Sequence, residues 1–240
     1  MRNKKHKGAA RIMTYSVSVI GAGRMGSVVA SRLPFETEIT IIDSNFKLAQ
    51  EVAGKVSGRA FSGYEGAADA DMVMLVLPKQ AVNEAVEKLL EIVKEGTIIL
   101  NMATSGYVLP ELHRQRKGVF IYDAKIIGHA GSILRGEPGI IVVNCFDQEK
   151  FELIKRLLAG FGKIEQGDSS LVERINILSS TEGIRTAVNL KKKLQEMNVP
   201  DEWINVAIRT VCAGTMKSFT ENDLGHFAQE LVKKMEQGQD

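Results

Sequence analysis

One stretch constrains this chain more than any other. Tyr15-Ser-Val-Ser-Val-Ile-Gly-Ala-Gly-Arg-Met-Gly26 is a short apolar run that closes on glycines at 21, 23 and 26. The run predicts a buried first strand, and residues 24–33 predict a helix that begins beneath the glycines. The three glycines serve different ends. Gly21 permits the tight turn, Gly23 keeps a side chain away from an approaching pyrophosphate, and Gly26 lets helix and strand close up. The free N–H groups of the helix's first turn and the positive end of its dipole then face an anionic ligand. A second apolar run, Ile39-Thr-Ile-Ile-Asp43, ends on an acid seventeen residues beyond Gly26, where a ribose-binding carboxylate is expected.

The strand, glycine turn, helix and second strand ending on Asp43 together predict a dinucleotide site. Its expected contacts are Gly21, Ala22, Gly23, Arg24, Met25 and Gly26 in the turn, and Asp43 and Ser44 after the second strand. Leu77, Pro78 and Lys79 after the fourth strand and Asn101 at the end of the fifth complete the set. A carboxylate at 43, with no arginine at 44 or 45, favours NAD over NADP because it repels a 2′-phosphate. Lys47, one helical step away, softens that preference.

The rest of the first two thirds alternates in the same way. Residues 45–55 predict a helix capped by Ser44, and 57–66 a short third strand with its connection. Asp71-Met-Val-Met-Leu-Val-Leu77 is nearly continuous apolar sequence, the pattern of a parallel strand covered on both faces. A helix over 80–93 follows, then strands over 97–101 and 119–122 with a short helix over 109–116 between them. A strand over 139–143, a helix over 148–158 and a last short strand over 163–165 close the series. The alternation predicts a doubly wound, mostly parallel Rossmann sheet over 14–167, with ligands at the carboxyl ends of the strands. From residue 168 the strands stop. Residues 175–197 predict one long helix or two broken near Gly183, and further amphipathic helices begin at Pro200 and Leu224. A small all-helical domain over 168–240 is therefore expected. So few residues bury little alone, and a homodimer formed through these helices is the expected solution.

Composition removes other classes. The net charge of +2 conceals a segment, residues 1–13, with five basic residues and no acid, which is expected to be a disordered tail. Set those five aside and the 29 acidic side chains outnumber the remaining basic ones, so the folded body offers no nucleic-acid surface. No apolar stretch of secretory type follows the tail, and no apolar run is long enough to span a membrane. Cys145 and Cys212 stand apart in apolar segments, which predicts reduced core thiols, a cytoplasmic protein and no metal site.

Several motifs resemble those of the short two-domain dehydrogenases typified by pyrroline-5-carboxylate reductase. Val19-Ile-Gly-Ala-Gly-Arg-Met-Gly26 and Leu75-Val-Leu-Pro-Lys-Gln-Ala81 are similar to that family's phosphate loop and the loop after its fourth strand. Ile175-Asn-Ile-Leu-Ser-Ser-Thr-Glu-Gly183 resembles its serine- and glycine-rich helix start, and the segment from Asn198 to Met216 resembles its later helix. A second, local resemblance is to the β-hydroxyacid dehydrogenases typified by 3-hydroxyisobutyrate dehydrogenase. It lies in Asp123-Ala-Lys-Ile-Ile-Gly-His-Ala-Gly131 and Ile140-Ile-Val-Val143. Both resemblances imply hydride transfer between a nicotinamide and a C=N or C=O bond of a small carboxylate metabolite.

In such a reaction the cofactor carries the hydride, and the protein supplies a proton or a positive charge to the reacting group. Lys125 is the expected cation, His129 the expected titratable group in the same loop, and Thr181 the expected hydroxyl of the helical part. The alternative is a non-catalytic dinucleotide-binding sensor or partner-binding protein. It rests on departures from both families: the pyrroline-5-carboxylate reductase signature Met-Pro-Asn-Thr-Pro is replaced by Asp-Ala-Lys-Ile-Ile-Gly-His over 123–129, the β-hydroxyacid family's loop serine is Ile127, and its catalytic lysine is Arg174.

Overall fold

A computed structural model describes residues 14–238; the basic segment 1–13, expected to be disordered, lies outside the described residues. Contacts divide the chain into two compact units, 1–176 and 177–240. The division falls inside a single long helix.

The first unit is a sheet of eight strands among the described residues, in the order β3-β2-β1-β4-β5-β6-β7-β8. These are β1 Ser16–Ile20, β2 Glu38–Ile42, β3 Arg59–Phe61, β4 Met72–Leu75, β5 Ile98–Asn101, β6 Phe120–Ile127, β7 Gly139–Val143 and β8 Gly162–Gln166. Every pairing is parallel except β6 with β7. Strand order reverses between β1 and β4, which pair from Val17 opposite Met72 to Ile20 opposite Leu75. A crevice opens there at the strands' carboxyl ends.

Period-two alternation explains why these strands read as unbroken apolar runs. Met72 and Met74 of β4, with Ile98 and Leu100 of β5, face one core layer; Val73, Leu75 and Ile99 face the other. Helices α1 Arg24–Ser31, α2 Phe46–Lys55 and α6 Gln148–Leu158 cover the first layer, and α3 Val82–Ile92 covers the second. Val86 and Leu89 of α3 have no exposed surface. Each such side chain contributes about 1.5–3 kcal/mol relative to an exposed one. A short helix, α4 Leu112–Gln115, lies between β5 and β6.

The structure corrects three expectations. Asn45, and not Ser44, caps α2, because its side chain accepts the N–H of Leu48 at 3.3 Å. The sixth strand continues to Ile127, so Lys125 lies within a strand and not in a loop. That extension is stabilised from one side by antiparallel β7, with Lys125 opposite Val142. A helix, α5 Ala130–Leu134, occupies part of the expected loop, and Arg32 at the end of α1 donates to the carbonyl of Ile133 at 2.7 Å.

Helix α7, Ser170–Glu196, runs unbroken through Gly183. A glycine inside a helix costs only about 1 kcal/mol, too little to interrupt so long a segment. Its first turns belong to the first unit, where Asn176 donates to the carbonyl of Ile126 at 2.8 Å. In the second unit, the rest of α7 is followed by α8 Asp201–Val206, a π-helical stretch Ala207–Cys212, α9 Ala213–Thr220 and α10 His226–Glu236. No helix among the described residues is long and apolar enough to cross a membrane.

Candidate functional site

The glycine turn ends β1 in a backbone that side chains rarely tolerate. Gly21 has φ +101°, and a Cβ there would lie 2.3 Å from the carbonyl oxygen of Val76. At Gly26 a Cβ would lie 1.7 Å from the oxygen of Gly21. Gly23 differs: its φ is −64°, and a Cβ would meet nothing within 4 Å. Two glycines are thus required by the protein itself, while the third faces open space.

That space is a cleft of about 810 Å³ at the switch point, within the usual size range for a cofactor. Gly21, Gly23, Arg24, Met25 and Gly26 form its floor, and Asp43 and Ser44 form one wall. Gly23 caps α1 with no side-chain hydrogen bond, and no acid occupies the helix's first turn. The N–H groups of that turn and the dipole's positive end are therefore directed into the cleft.

Asp43 is held rigidly. One carboxylate oxygen accepts the N–H of Ala22 at 2.7 Å and the other accepts that of Asn45 at 2.8 Å. The first bond ties the second strand's acid to the glycine turn. Lone pairs remain on both oxygens for a ribose diol. A pyrophosphate on the helix terminus and a ribose on Asp43 fit what the residues offer, and the open face of Gly23 would admit the phosphates.

Other expected residues fall on both sides of the cleft's boundary. Leu77 and Pro78 line it, and so does His129, which caps α5 and is exposed. Ala22 is buried, contributing its N–H to Asp43. Lys79 opens the 3-10 turn before α3, and its stem packs on Gly106: a Cβ at Gly106 would lie 2.7 Å from the Lys79 Cγ. Thr181 is an exposed residue of α7 in the second unit. Sequence reasoning missed Leu48, Ser62, Tyr64, Ala81 and Lys88, which also line the cleft. No spacing signals them, because α2, the segment after β3, and α3 with the turn before it bring them together only once the sheet has formed. Lys88 stands 5.7 Å from the Tyr64 ring centroid and 2.6 Å from the Glu84 carboxylate.

Asn101 and Lys125 form a separate buried cluster at the ends of β5 and β6. The Asn101 amide nitrogen donates to Asp123 at 2.6 Å and to the Gly106 carbonyl at 3.0 Å; its oxygen accepts the N–H of Ala103. Lys125 has no exposed surface. Its ammonium donates to the carbonyls of Ala103 at 2.9 Å and Gly106 at 2.8 Å, and lies 3.4 Å from Asp123. Burial pushes its pKa below the ordinary lysine value, while the charge of Asp123 opposes the shift. The cation expected to meet a substrate is instead fully engaged, clamping the loop after β5.

Fold and cleft define a dinucleotide-binding protein of the Rossmann class. The chain belongs to the family of the NAD binding domain of 6-phosphogluconate dehydrogenase, whose model matches residues 16–175; members of that family are NAD(P)-dependent oxidoreductases. Solved structures with this fold include a pyrroline-5-carboxylate reductase from Coxiella burnetii, 16% identical, with TM-score 0.70 over 93% of this chain and 85% of that one. A 3-hydroxyisobutyrate dehydrogenase from Mycobacterium tuberculosis with L-serine is also 16% identical, with TM-score 0.61 over 82% and 72%. A reductive aminase from Aspergillus terreus, in complex with NADPH and ethyl-5-oxohexanoate, is 17% identical, with TM-score 0.63 over 94% and 79%. No curated protein matches the chain at a significant level.

Proposed function

We propose that this chain transfers a hydride between a nicotinamide and a C=N or C=O bond of a small carboxylate metabolite, and that it prefers NAD to NADP. The observation that carries the cofactor preference is Asp43, fixed by the N–H groups of Ala22 and Asn45 at the cleft wall. A fixed carboxylate accepts a ribose diol and repels a 2′-phosphate. The first turn of α1 and the bare backbone at Gly23 receive the pyrophosphate. When bound, the dihydronicotinamide supplies the hydride, and the protein orients it and manages the proton. Of the three residues expected to serve catalysis, His129 is the one on the cleft, beside the phosphate loop. We read it as a contact for the phosphates or for a substrate carboxylate.

Thermal unfolding with NAD, NADH, NADP and NADPH in turn tests this reading. A ligand of the native state stabilises it by about 2.7 kcal/mol at a hundredfold excess over Kd. That amounts to a rise of roughly 5–10 °C for a chain of this size. The larger rise is expected with NAD or NADH, and Asp43→Ala should remove the difference between the two cofactor pairs. Equal rises in the wild type would sink the NAD preference, and no rise with any dinucleotide would sink the function. Substrate-dependent oxidation of the dihydronicotinamide then separates an enzyme from a non-catalytic sensor, since both bind the cofactor.

We also propose that the chain acts as a homodimer through its second unit. Phe227, Leu231 and Met235 recur at helical spacing along α10 and are 74%, 38% and 63% exposed. On α7, Ile184 and Val188 are exposed one turn apart. Amphipathic helices that leave their apolar stripe in water are incomplete as single chains. Light scattering on the eluting protein is expected to give twice the chain mass, and Phe227→Glu with Leu231→Glu to give the single mass. A wild-type monomer at micromolar concentration would refute the assembly.

A further inference from the structure

Strand order fixes where the second half of a dinucleotide must lie. Asp43 and Tyr64 line the cleft over β2 and β3 and would take the adenosine half, with the phosphates at α1 beside β1. The nicotinamide half of a dinucleotide held there would then extend over β4 and β5. Strands are spaced about 4.8 Å apart, so β5 lies roughly 10 Å from β1, within a nucleotide's reach. The loop leaving β5 is the part of the protein that meets it.

That loop is held at Ala103 and Gly106, while Thr104 and Tyr107 are exposed. Lys125 and Asn101 hold the carbonyls of Ala103 and Gly106 from beneath. Gly106, at φ +95°, packs on Lys79, whose neighbour Pro78 lines the cleft. Gly106 and Val108 are buried, yet Tyr107 between them is 39% exposed. Its ring stands 5.0 Å from the buried Lys125 ammonium, and among the described residues its hydroxyl has no hydrogen-bond partner.

We propose that Tyr107 is a catalytic residue: its phenol faces the nicotinamide half of the site and delivers the proton to the substrate heteroatom. This rests on the reductase reading above. With the hydride that a bound dihydronicotinamide would supply to the substrate carbon, the π pair of the C=N or C=O bond would move to the heteroatom and the Tyr107 O–H bond would break to protonate it. Water then returns a proton to the phenolate. Burial, and after it the charges of Glu173, Asp123 and Asp168, raise the phenol's pKa, so at neutral pH Tyr107 holds its proton. The Lys125 cation beneath the ring offsets the negative charge that appears as the proton leaves. Lys125 is thus a positioning residue, acting through Tyr107 and the loop.

Two measurements on the full chain test the assignment. Tyrosine nitration by tetranitromethane, mapped by peptide mass, is run with NAD⁺ and with ADP-ribose, which lacks the nicotinamide. Nitration of Tyr64 should slow several-fold with both ligands, and that of Tyr107 with NAD⁺ alone. Protection of Tyr64 without Tyr107, or of Tyr107 by both ligands equally, overturns the assignment and leaves the dinucleotide site standing. Protection of neither overturns the dinucleotide reading itself. In the second measurement, Tyr107→Phe should leave NAD⁺ affinity unchanged by calorimetry and lower turnover by about 10²–10⁴-fold, the range for a lost general acid. Undiminished turnover in Tyr107→Phe sinks the proposal; absence of turnover in the wild type sinks the reductase reading beneath it.

Discussion

Gly23→Asp is expected to abolish dinucleotide binding while the free protein melts no lower than the wild type. The two effects separate because the residue does two things. Gly23 is the N-cap of α1, with a backbone any L-residue adopts and no atom within 4 Å of a new Cβ. Aspartate is among the best N-caps and glycine lags it by only a few tenths of a kcal/mol, so the helix gains slightly. The new carboxylate, however, takes the phosphates' place at the helix terminus and repels them. Loss of at least about 100-fold in affinity, close to 3 kcal/mol, should appear by calorimetry. Gly26→Ala is the control with the opposite pattern. Its Cβ would lie 1.7 Å from the Gly21 oxygen, so α1 must move off the turn at a cost of roughly 1–3 kcal/mol or more. A melting temperature several degrees lower is expected before any ligand is added. If Gly23→Asp still bound NAD with wild-type affinity, the phosphates would have to lie elsewhere.

Lys125→Met carries the second large effect, on stability. The substitution keeps the volume but leaves the carbonyls of Ala103 and Gly106 and the carboxylate of Asp123 without their cation. Removing one partner of a buried charged pair costs about 3–5 kcal/mol, or a fall of roughly 10 °C in the melting temperature. Asp123→Asn in the same background should recover part of the loss, because no unpaired carboxylate then remains. The pH dependence has a definite sign. Burial lowers the folded pKa of Lys125 below its unfolded value, so between the two the unfolded chain binds more protons and stability rises with pH. At lower pH the wild type bears the cost of the buried charge in full. Denaturant titrations should therefore show the stability advantage of wild type over Lys125→Met growing as pH climbs toward the ordinary lysine value. An advantage that is flat or shrinking over that window would mean that Lys125 is not desolvated as described.

Much of the site lies in one short sequence. From residue 15 to residue 43 the strand, the turn, the helix and the acid are local, and local rules determined them: which positions demand glycine, where a helix begins, where a strand ends. Alternation of strand and helix marked a mostly parallel sheet, and apolar runs such as that of β4 marked strands covered on both faces; the strand order came only with the fold. Lys125 shows where such reading stops. In sequence it follows an apolar run and precedes a glycine, which suits a loop. In the fold, β7 pairs with the segment, extends it as strand to Ile127 and carries the lysine beneath the loop after β5.

Tyr64, Lys88 and Tyr107 belong with it. Their positions relative to the cleft depend on which strands become neighbours, and no residue type or spacing near them records that choice. The sequence by itself marked the glycine turn, the acid after the second strand and the alternation of strands and helices, because those are written in residue types and spacings within each segment. Only the tertiary structure decided which polar groups were buried and which were presented. Burial is set by the elements that arrive from far along the chain, and burial turned Lys125 from an exposed cation into an internal clamp while leaving Tyr107 exposed above it.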